Sequence, residues 1–554
     1  MALSTVGRVI VDAIRKEGIR HVFCVPGESY LGLLDAFHEY EEPRLVTTHH
    51  EEGAGMMAEA CAKASGRPGV VMVTRGPGLT HLAIAIHTAM QDSTPLVALV
   101  GQVPRRVSDR GAFQEVDVPA LGRALGKWGV EIRDPERSAE LVHRAFHVAQ
   151  AGRPGPVLVS IPEDVGLAEV HFGSYTRSQV PVPAPRIEDI ERAASLLTDA
   201  RSVAVLAGGG SLRSGATDAL TGLATELAVP VYTAWRRFDA FPNAHPLYAG
   251  NVPWIPPHLQ APLREAEVVL AAGTRLGDFT SFSYSLPSPE QRLIHIDVSA
   301  EAMSVASSAD VPIQADCRLT VEMLTGAVKG FAKTSMHRQR WRLATAAHHA
   351  YLDSTRASHQ ESKPDYVELA HAFEDLRRLL PTNTATTSDA GAFAAFLNRH
   401  FQWPEPGTFF GATSGAMGYA VPAAIGVKLT DPKRPVVAFS GDGGFAMVMS
   451  EVHTAVRLAL EGIVFVVFDN HCYGAIKRNQ RKLFPGREIA TDLGEIDFCA
   501  VAEAMGAAAF KATSNSQLVS CVSAALAAQR PAVVHALTDP EELDAWATYS
   551  ETVQ

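Results

Sequence analysis

The C-terminal part of the sequence contains the segments PVVAFSGDGGF (residues 435–445) and IVFVVFDN (residues 463–470). Each segment contains a short apolar run, which is typical of a buried strand in a parallel sheet, and one helix fits between them. The two segments therefore predict a strand, a glycine turn, a helix and a second strand. Glycines in such a turn allow backbone N–H groups to approach a phosphate closely.

One acidic residue interrupts the glycine turn. Asp442 would repel a phosphate bound there unless a divalent cation lay between the two and took oxygen ligands from both. Asn470 follows the second strand, 28 positions further on. Because the carboxyl ends of neighbouring parallel strands meet at one edge of a sheet, the two side chains are expected to share one octahedral Mg²⁺. The alternative for Asp442 alone is an ordinary turn in which it caps a helix.

Length and composition set the broad class. The chain has 554 residues and a net charge of −11, and this length fits three domains rather than one core. A negative charge without basic clusters argues against a nucleic-acid partner and favours a small molecule. Six scattered cysteines without paired metal spacing favour a reduced, cytoplasmic protein. Apolar runs stay shorter than the roughly 18 residues of a membrane span, and the charged N-terminal segment lacks a signal sequence.

The first third of the chain alternates predicted helices and strands. It begins with a helix over 4–17 and contains a second glycine turn, GPG (76–78), between a strand and a helix. Repeated βα units of this length predict a parallel sheet with helices on both faces. The segment VPVPAP (180–185) is the clearest linker, since alternating prolines hold a spacer extended. Strands and helices alternate again after this linker.

Two motifs together resemble a known family. GDG (441–443) followed by DN (469–470) resembles the diphosphate and metal motif of thiamine-diphosphate enzymes, specifically the acetolactate synthase-like group. HEEGA (50–54) resembles the His-Glu-x-Gly-Ala segment of the same group. The resemblance continues in the same order through GPG (76–78), DSTPLV (92–97), GQV (101–103), AFQE (112–115) and GRPGPV (152–157).

The resemblance implies an α/β fold of three parallel-sheet domains, in which two thiamine-diphosphate-binding domains flank a central Rossmann-like domain. The expected boundaries are 1–172 for the pyrimidine-binding domain, 186–335 for the central domain and 360–554 for the diphosphate- and metal-binding domain. In this group the central domain holds FAD in some members and ADP or nothing in others. The run Gly208-Gly209-Gly210 lacks GxGxxG spacing, so a dinucleotide is weakly indicated and FAD is possible but not favoured.

The resemblance assigns Glu51, the first carboxylate of HEEGA, to the pyrimidine ring of the cofactor. The C2 proton of a thiazolium is too weakly acidic for a side chain to remove directly. The aminopyrimidine must therefore first become its imino tautomer, which a carboxylate bonded to the ring nitrogen promotes. The pattern alone does not separate Glu51 from its neighbour Glu52. The alternative for either residue is an acidic side chain that stabilises a helix N-terminus.

The resemblance also implies the remaining site residues. The metal is expected on Asp442, Asn470 and the main-chain carbonyl of Cys472. Residues 389–393 follow a strand and open a helix, which lets N–H groups point at a diphosphate. Met417 is expected to wedge the cofactor into its bent form, although an apolar methionine is more often core. The other implied cofactor-binding residues are Pro77, Ala390, Gly391, Ala392, Phe393, Gly415, Gly441, Gly443 and Gly444. Besides Glu51, the candidate catalytic residues are Glu28, His81, Phe113 and Gln114.

Four residues around the expected substrate pocket depart from acetolactate synthases. Glu28 stands where those enzymes have glycine, and a carboxylate there would disfavour an anionic acceptor. Arg75 replaces a small residue, His81 replaces asparagine, and Asn479 replaces the tryptophan that shapes acceptor choice. Two innocuous alternatives are that Arg75 pairs with Glu28 and that His81 is an ordinary helix residue.

The resemblance implies a thiamine-diphosphate- and Mg²⁺-dependent enzyme that forms a C2 carbanion, attacks a 2-oxo acid or related carbonyl, and expels CO₂ to leave an enamine. Attack of the enamine on a second carbonyl would be acetolactate synthase-like carboligation. The alternatives are a simple 2-oxo acid decarboxylase and a 2-hydroxyacyl-CoA lyase. A catalytically silent structural or regulatory homologue is the alternative of another class. A homodimer or homotetramer is expected, because in this group the cofactor lies between domains of different subunits.

Overall fold

The computed structural model describes residues 2–305, 308–357 and 365–545. Within these residues it contains three six-stranded parallel sheets and one two-stranded antiparallel sheet. The predicted α/β architecture of three parallel-sheet domains is confirmed. In the same ranges, none of the helices combines the length and the apolar character needed to cross a membrane.

The N-terminal sheet has the strand order β3-β2-β4-β5-β7-β6. The strands of this region are β1 (Ala2–Thr5), β2 (His21–Cys24), β3 (Arg44–Thr47), β4 (Gly69–Thr74), β5 (Leu96–Gln102), β6 (Trp128–Glu131), β7 (Pro156–Pro162) and β8 (Glu169–Phe172). Its helices are α1 (Val6–Lys16), α2 (Leu31–Phe37), α3 (Glu51–Ser65), α4 (Arg75–Asp92), α5 (Val118–Leu125), α6 (Ser138–Gln150) and α7 (Glu163–Gly166). Along β5, Val97 and Ala98 belong to different apolar clusters. Both faces of the sheet are therefore buried, which explains its continuous apolar runs.

The central sheet has the order β11-β10-β9-β12-β13-β14. Its strands are β9 (Val203–Ala207), β10 (Val231–Thr233), β11 (Tyr248–Asn251), β12 (Val268–Ala272), β13 (Arg292–Asp297) and β14 (Val311–Gln314). Its helices are α8 (Ile187–Asp199), α9 (Gly209–Arg213), α10 (Thr217–Leu227), α11 (Ala261–Arg264), α12 (Cys317–Ala327) and α13 (Ser335–Ser354). A Cβ at Gly210 would lie 2.7 Å from the Cα of Gly273. Close packing of two turns therefore requires glycine in this run.

The C-terminal sheet has the order β16-β15-β17-β18-β20-β19. Its strands are β15 (Ala385–Ser388), β16 (Phe409–Gly411), β17 (Val436–Gly441), β18 (Ile463–Asp469), β19 (Ala508–Ala512) and β20 (Ala532–Leu537). Its helices are α14 (Leu369–Leu379), α15 (Ala392–His400), α16 (Ala420–Thr430), α17 (Asp442–Val448), α18 (Glu451–Arg457), α19 (Gly474–Leu483), α20 (Phe498–Ala504) and α21 (Asn515–Ala527). β17 and β18 are parallel neighbours, with Gly441 opposite Phe468. The residues that follow the two strands therefore leave the same edge of the sheet.

Three predicted boundaries differ from the structure. The first helix begins at Val6 rather than residue 4, because Ala2–Thr5 form a strand that pairs with β8. The predicted glycine turn at 76–78 is the first turn of α4, and in the turn at 441–444 Gly441 ends β17 while Asp442 begins α17. The single helix predicted between β17 and β18 is wrong, since α17 and α18 both lie there. Glycine adopts helical angles as well as turn angles, and proline is tolerated in the first turn of a helix, so the residues permitted either structure.

One buried carboxylate joins all three domains. Asp92, at the end of α4, forms an ion pair with Lys63 of the same domain. It also lies 2.9 Å from Arg237 Nη2 of the central domain and accepts a hydrogen bond of 2.8 Å from Thr413 N of the C-terminal domain. Burial by itself would raise the pKa of Asp92, but Lys63 and Arg237 outweigh burial and hold that pKa well below its usual value.

Candidate active site

The carboxyl edge of the C-terminal sheet gathers the residues predicted to bind a metal. Asp442 begins α17 directly after β17, and Asn470 directly follows β18. The backbone N–H of Cys472 donates to Asn470 Oδ1 at 3.3 Å and also stabilises the ionised Asp442 carboxylate. The Cys472 carbonyl accepts from Gly474 N at 2.8 Å, which leaves one lone pair on that oxygen. The three predicted ligand residues therefore lie together.

Asp442 is a buried carboxylate with one unpartnered oxygen. Its Oδ1 accepts from Gly443 N at 2.9 Å, whereas Oδ2 is buried without a hydrogen-bond partner. Burial, and then the neighbouring Asp469, raise the pKa of Asp442. A divalent cation would occupy the free oxygen and favour the ionised carboxylate. The donor set of carboxylate, amide and carbonyl oxygens therefore fits a hard cation.

A glycine-rich surface lies beside this carboxylate. Gly391 caps α15, so the first N–H groups of that helix lack partners within it. A Cβ at Gly443 would lie 2.6 Å from Tyr473 Cε1, and one at Gly444 would overlap the carboxylate of Asp389. Glycine is therefore required at both positions, whether or not a phosphate is bound. Beneath this surface Phe393 is buried and stacks on Phe468.

Arg236 of the central domain binds the backbone at the end of β15. The sequence analysis did not identify this residue. The buried guanidinium donates from Nη1 to Ser388 O at 3.1 Å and from Nη2 to Asp389 O at 3.0 Å. Asp389 Oδ1 in turn accepts from Ala420 N at 2.7 Å. No spacing in the sequence signals this contact, because it joins two domains.

Gly415 and Met417 lie on the connection between β16 and α16. Gly415 and Gly418 have φ angles of 69° and 74°, in the left-handed region that favours glycine. Met417, between them, is half-buried. A Cβ at Gly418 would lie 3.1 Å from Glu52 Oε1. This connection therefore meets the N-terminal domain of the same chain through Glu52.

Glu51 begins α3 at the carboxyl edge of the N-terminal sheet. Its Oε2 lies 2.9 Å from His81 Nδ1. Its Oε1 faces Gly78, where a Cβ would lie 3.3 Å away. The carboxylate is mostly buried, while the His81 side chain is 53% exposed. His81 is therefore a helix residue with a hydrogen-bond partner, and that partner is Glu51.

Glu51 and Glu52 have different surroundings although they are adjacent in sequence. Burial, followed by the charge of Asp389, raises the pKa of Glu52 to about 7. Glu52 thus faces the C-terminal domain of its own chain, whereas the neighbours of Glu51 come from its own domain. Successive residues at a helix N-terminus point in different directions, which accounts for the difference.

Glu28 and Arg75 lie at the same edge as Glu51 but do not pair. Glu28 is exposed, and the next residue, Ser29, shares a hydrogen bond of 2.7 Å with Thr74. Arg75 Nη2 lies 3.3 Å from Glu163 Oε2. The alternative that Arg75 neutralises Glu28 is therefore wrong.

Gln114 and Phe113 border the GPG segment. The Gln114 carbonyl accepts from Gly76 N at 2.9 Å, and Phe113 beside it is 74% exposed. Pro77, which follows Gly76, is also exposed, and so is Asn479 on α19. Phe113, Pro77 and Asn479 are thus all exposed in the single chain.

The predicted site residues form two clusters rather than one. In the described part of the chain, no hydrogen bond or ion pair joins Glu51 to Asp442 or Asn470. A missed residue, Glu451, instead connects the domains: its buried Oε1 accepts from His49 N at 3.0 Å and from His50 N at 3.1 Å. The sequence carries no motif that identifies this glutamate.

Three family models match the chain. They are the thiamine pyrophosphate enzyme N-terminal TPP-binding domain over residues 4–121, the central domain over 190–324 and the C-terminal TPP-binding domain over 389–536. The two TPP-binding models cover the two clusters described above. The matches follow the order of the three sheets along the chain.

Curated relatives are similar over nearly the whole length. A probable acetolactate synthase large subunit of Methanocaldococcus jannaschii is 30% identical over 96% of this chain and 92% of the relative. Acetolactate synthase isozyme 3 large subunit of Escherichia coli is 30% identical over 95% and 93%. Sulfoacetaldehyde acetyltransferase of Rhodobacter capsulatus is 29% identical over 97% and 95%.

Proposed function

The chain belongs to the thiamine pyrophosphate enzyme family, and from that premise we propose that it joins a 2-oxo acid donor to a second carbonyl compound in an acetolactate synthase-like carboligation. It is a thiamine-diphosphate-dependent enzyme. One observation carries the proposal: the unpartnered Oδ2 of Asp442 beside Asn470. A catalytically silent homologue is disfavoured, because a decaying site would be expected to lose such a residue first.

Mg²⁺ is proposed on Asp442 Oδ2, Asn470 and the Cys472 carbonyl. The glycine-rich surface of residues 390–392 and 441–444 is proposed to hold the diphosphate. Met417, on the connection between β16 and α16, is proposed to support the cofactor. Thiamine diphosphate supplies the electron sink when it is bound. The protein's part is to orient the cofactor and to hold protons at defined atoms.

Glu51 is proposed as the residue that holds a proton at the pyrimidine nitrogen. His81 occupies its Oε2, so Oε1 is the oxygen left for this task. A group that transfers a proton must lie within hydrogen-bond reach of the atom that carries it. Phe113, Gln114 and Glu28 are proposed to border the space in which the carbonyl substrate reacts.

The active unit is proposed to be a homodimer or homotetramer with shared sites. Glu51 and Asp442 belong to separate clusters of one chain, and one cofactor needs both. A second subunit that presents its C-terminal edge to Glu51 would complete the site. Placement in the cytoplasm is proposed from the six free cysteines. FAD is not favoured in the central domain, since close packing against Gly273 already explains Gly208 and Gly210.

Glu28 favours a simple decarboxylase as the second candidate. Among the described residues this exposed carboxylate forms no ion pair, and Arg75 pairs with Glu163 instead. An anionic acceptor would be repelled at such a position. In that case the reaction would end by protonation rather than ligation. A 2-hydroxyacyl-CoA lyase is a third candidate.

A screen of 2-oxo acids, with and without aldehyde acceptors, tests the proposal. The protein is loaded with thiamine diphosphate and Mg²⁺, and CO₂ and ligation products are followed together. CO₂ release with a ligation product supports a carboligase, and CO₂ with free aldehyde supports the decarboxylase. Cofactor binding without turnover of any substrate would contradict both. The Glu51→Gln variant is the control that any turnover belongs to this site.

A further inference from the structure

His81 is held against Glu51 by more than one contact. The two residues are joined at 2.9 Å between His81 Nδ1 and Glu51 Oε2. On its other side the His81 ring stacks on His50, with ring centroids 4.5 Å apart and an interplanar angle of 27°. His81 belongs to α4, whereas His50 and Glu51 belong to the start of α3. The imidazole therefore bridges two elements.

His50 itself has a fixed position. Its Nδ1 accepts from Glu52 N at 3.2 Å, so it caps the first turn of α3. The backbone N–H of His50 donates to Oε1 of the buried Glu451 at 3.1 Å. A Cβ at Gly53 would lie 2.7 Å from Glu451 Oε1, so only glycine allows this approach. The stack under His81 thus rests on helix α3 and on the C-terminal domain.

The geometry points to His81 as a positioning residue for Glu51, an inference that rests on the proposed role of Glu51. An ionised carboxylate only accepts hydrogen bonds, so His81 must present Nδ1–H to it. This bond holds Oε2 and fixes the plane of the carboxylate. Oε1 is then aimed in one direction, which is what a proton-holding group needs.

The chemistry of the bond predicts which side chains can replace His81. The amide nitrogen of asparagine is separated from Cβ by the same number of bonds as Nδ1 of histidine. Asparagine at this position, as in the synthases that the chain resembles, therefore supplies a donor at a similar place. The amide nitrogen of glutamine lies one bond further out. Leucine fills the space without a donor.

The experiment compares His81→Leu, His81→Asn and His81→Gln in the full-length protein. Two quantities are measured: the dissociation constant of thiamine diphosphate with Mg²⁺, and hydrogen–deuterium exchange at cofactor C2. We expect His81→Leu to bind within about threefold of wild type and to exchange at least about tenfold more slowly, as misplaced catalytic groups do. His81→Asn should restore exchange to within about threefold, and His81→Gln should restore less. His87→Leu, an exposed position on the same helix, is the control.

A spectroscopic measurement tests the bond without the cofactor. In ¹⁵N-histidine NMR spectra of the cofactor-free protein, His81 should show a protonated Nδ1 and an unprotonated Nε2, with its signal identified by the loss in His81→Asn. The Glu51→Leu variant should abolish this preference. A His81 protonated at Nε2 alone would overturn the inference, even if the leucine variant failed to fold.

The outcomes separate the inference from the function beneath it. Normal C2 exchange in His81→Leu, or equal loss in His81→Leu and His81→Asn, would overturn the inference alone, because packing would then be the role of the ring. A wild-type protein that binds no thiamine diphosphate, or shows no C2 exchange, would overturn the proposed function and this inference with it.

Discussion

A substitution of Asp442 is the most direct test of the proposed metal site. Asp442→Ala should weaken Mg²⁺-dependent binding of thiamine diphosphate by about 10²-fold or more, because metal-site ligands and their partners contribute affinity of this order. The fold should persist, since the side chain loses only local contacts at the sheet edge, with the backbone N–H groups of Gly443 and Cys472. Calorimetric titration with and without Mg²⁺ measures the effect. Affinity equal to wild type would contradict the assignment, and Asp375→Ala, at a half-buried position on α14 that pairs with Arg378, is the control.

A second test compares Glu51 with Glu52, because the two residues have different surroundings. Glu51→Gln should keep the cofactor but lose C2 hydrogen–deuterium exchange by about 10²-fold or more, as general acid–base residues do. Glu52→Gln should stay within about tenfold of wild type, since Glu52 faces Gly418 of its own chain. Exchange by NMR measures both. The reverse ranking would show that the two roles are interchanged.

At the scale of elements, the contact between α3 and α16 depends on a glycine. A Cβ at Gly426 would overlap the carbonyl oxygen of Met57, and backbone atoms cannot move aside cheaply. Gly426→Ala should therefore lower the thermal unfolding midpoint, with a cost of about 1–3 kcal/mol as for other overpacked sites. Gly222→Ala in α10, which meets no atom within 4 Å, is the matched control and should stabilise by about 0.5–1 kcal/mol. Equal effects would refute the close approach.

For the whole molecule, Asp92 should contribute to the free energy of unfolding. Asp92→Asn leaves Arg237 without its carboxylate and leaves Lys63 with Glu59 alone, and breaking a buried ion pair costs about 3–5 kcal/mol. The folded pKa of Asp92 is lowered from 3.8, so its contribution is fully present above that value. The contribution is lost as pH falls toward the folded pKa. Unfolding midpoints of wild type and variant should therefore differ at neutral pH and converge in acid.

Glu140→Gln is the control for that measurement. Its partner Arg137 lies 2.6 Å away on the surface, where ion pairs are screened and contribute little. Its unfolding midpoint should stay near that of wild type at every pH. A difference between wild type and Asp92→Asn that persisted unchanged in acid would show that Asp92 acts through its shape rather than its charge.

Shared active sites also belong to the scale of the assembly. Mixing the Glu51→Gln chain with the Asp442→Ala chain should restore part of the lost activity, because a hybrid assembly contains sites with both residues intact. Light scattering measured on the same samples gives the oligomeric state. An active monomer at assay concentration would contradict sharing. Each variant alone, at the same total concentration, is the control.

The three-sheet fold and the position of Asp442 and Asn470 at one sheet edge could be predicted from the amino-acid sequence alone. This was possible because apolar runs, glycines and strand ends are local features, and parallel pairing then brings neighbouring ends together. The helical starts at Arg75 and Asp442 escaped prediction, since glycine-rich segments suit a turn and a helix N-terminus equally.

The side-chain contacts between domains and between helices could not be predicted from the sequence and are seen only in the three-dimensional structure. The bond from His81 to Glu51, the pair of Arg75 with Glu163, the Asp92 junction and the Glu451 contact each join residues distant in sequence. No local pattern encodes such pairs, because they depend on how helices and sheets pack. Glu51 and Asp442 likewise lie at the edges of different sheets, with no hydrogen bond between them in the described residues, and the completion of the site by a second subunit stays a prediction.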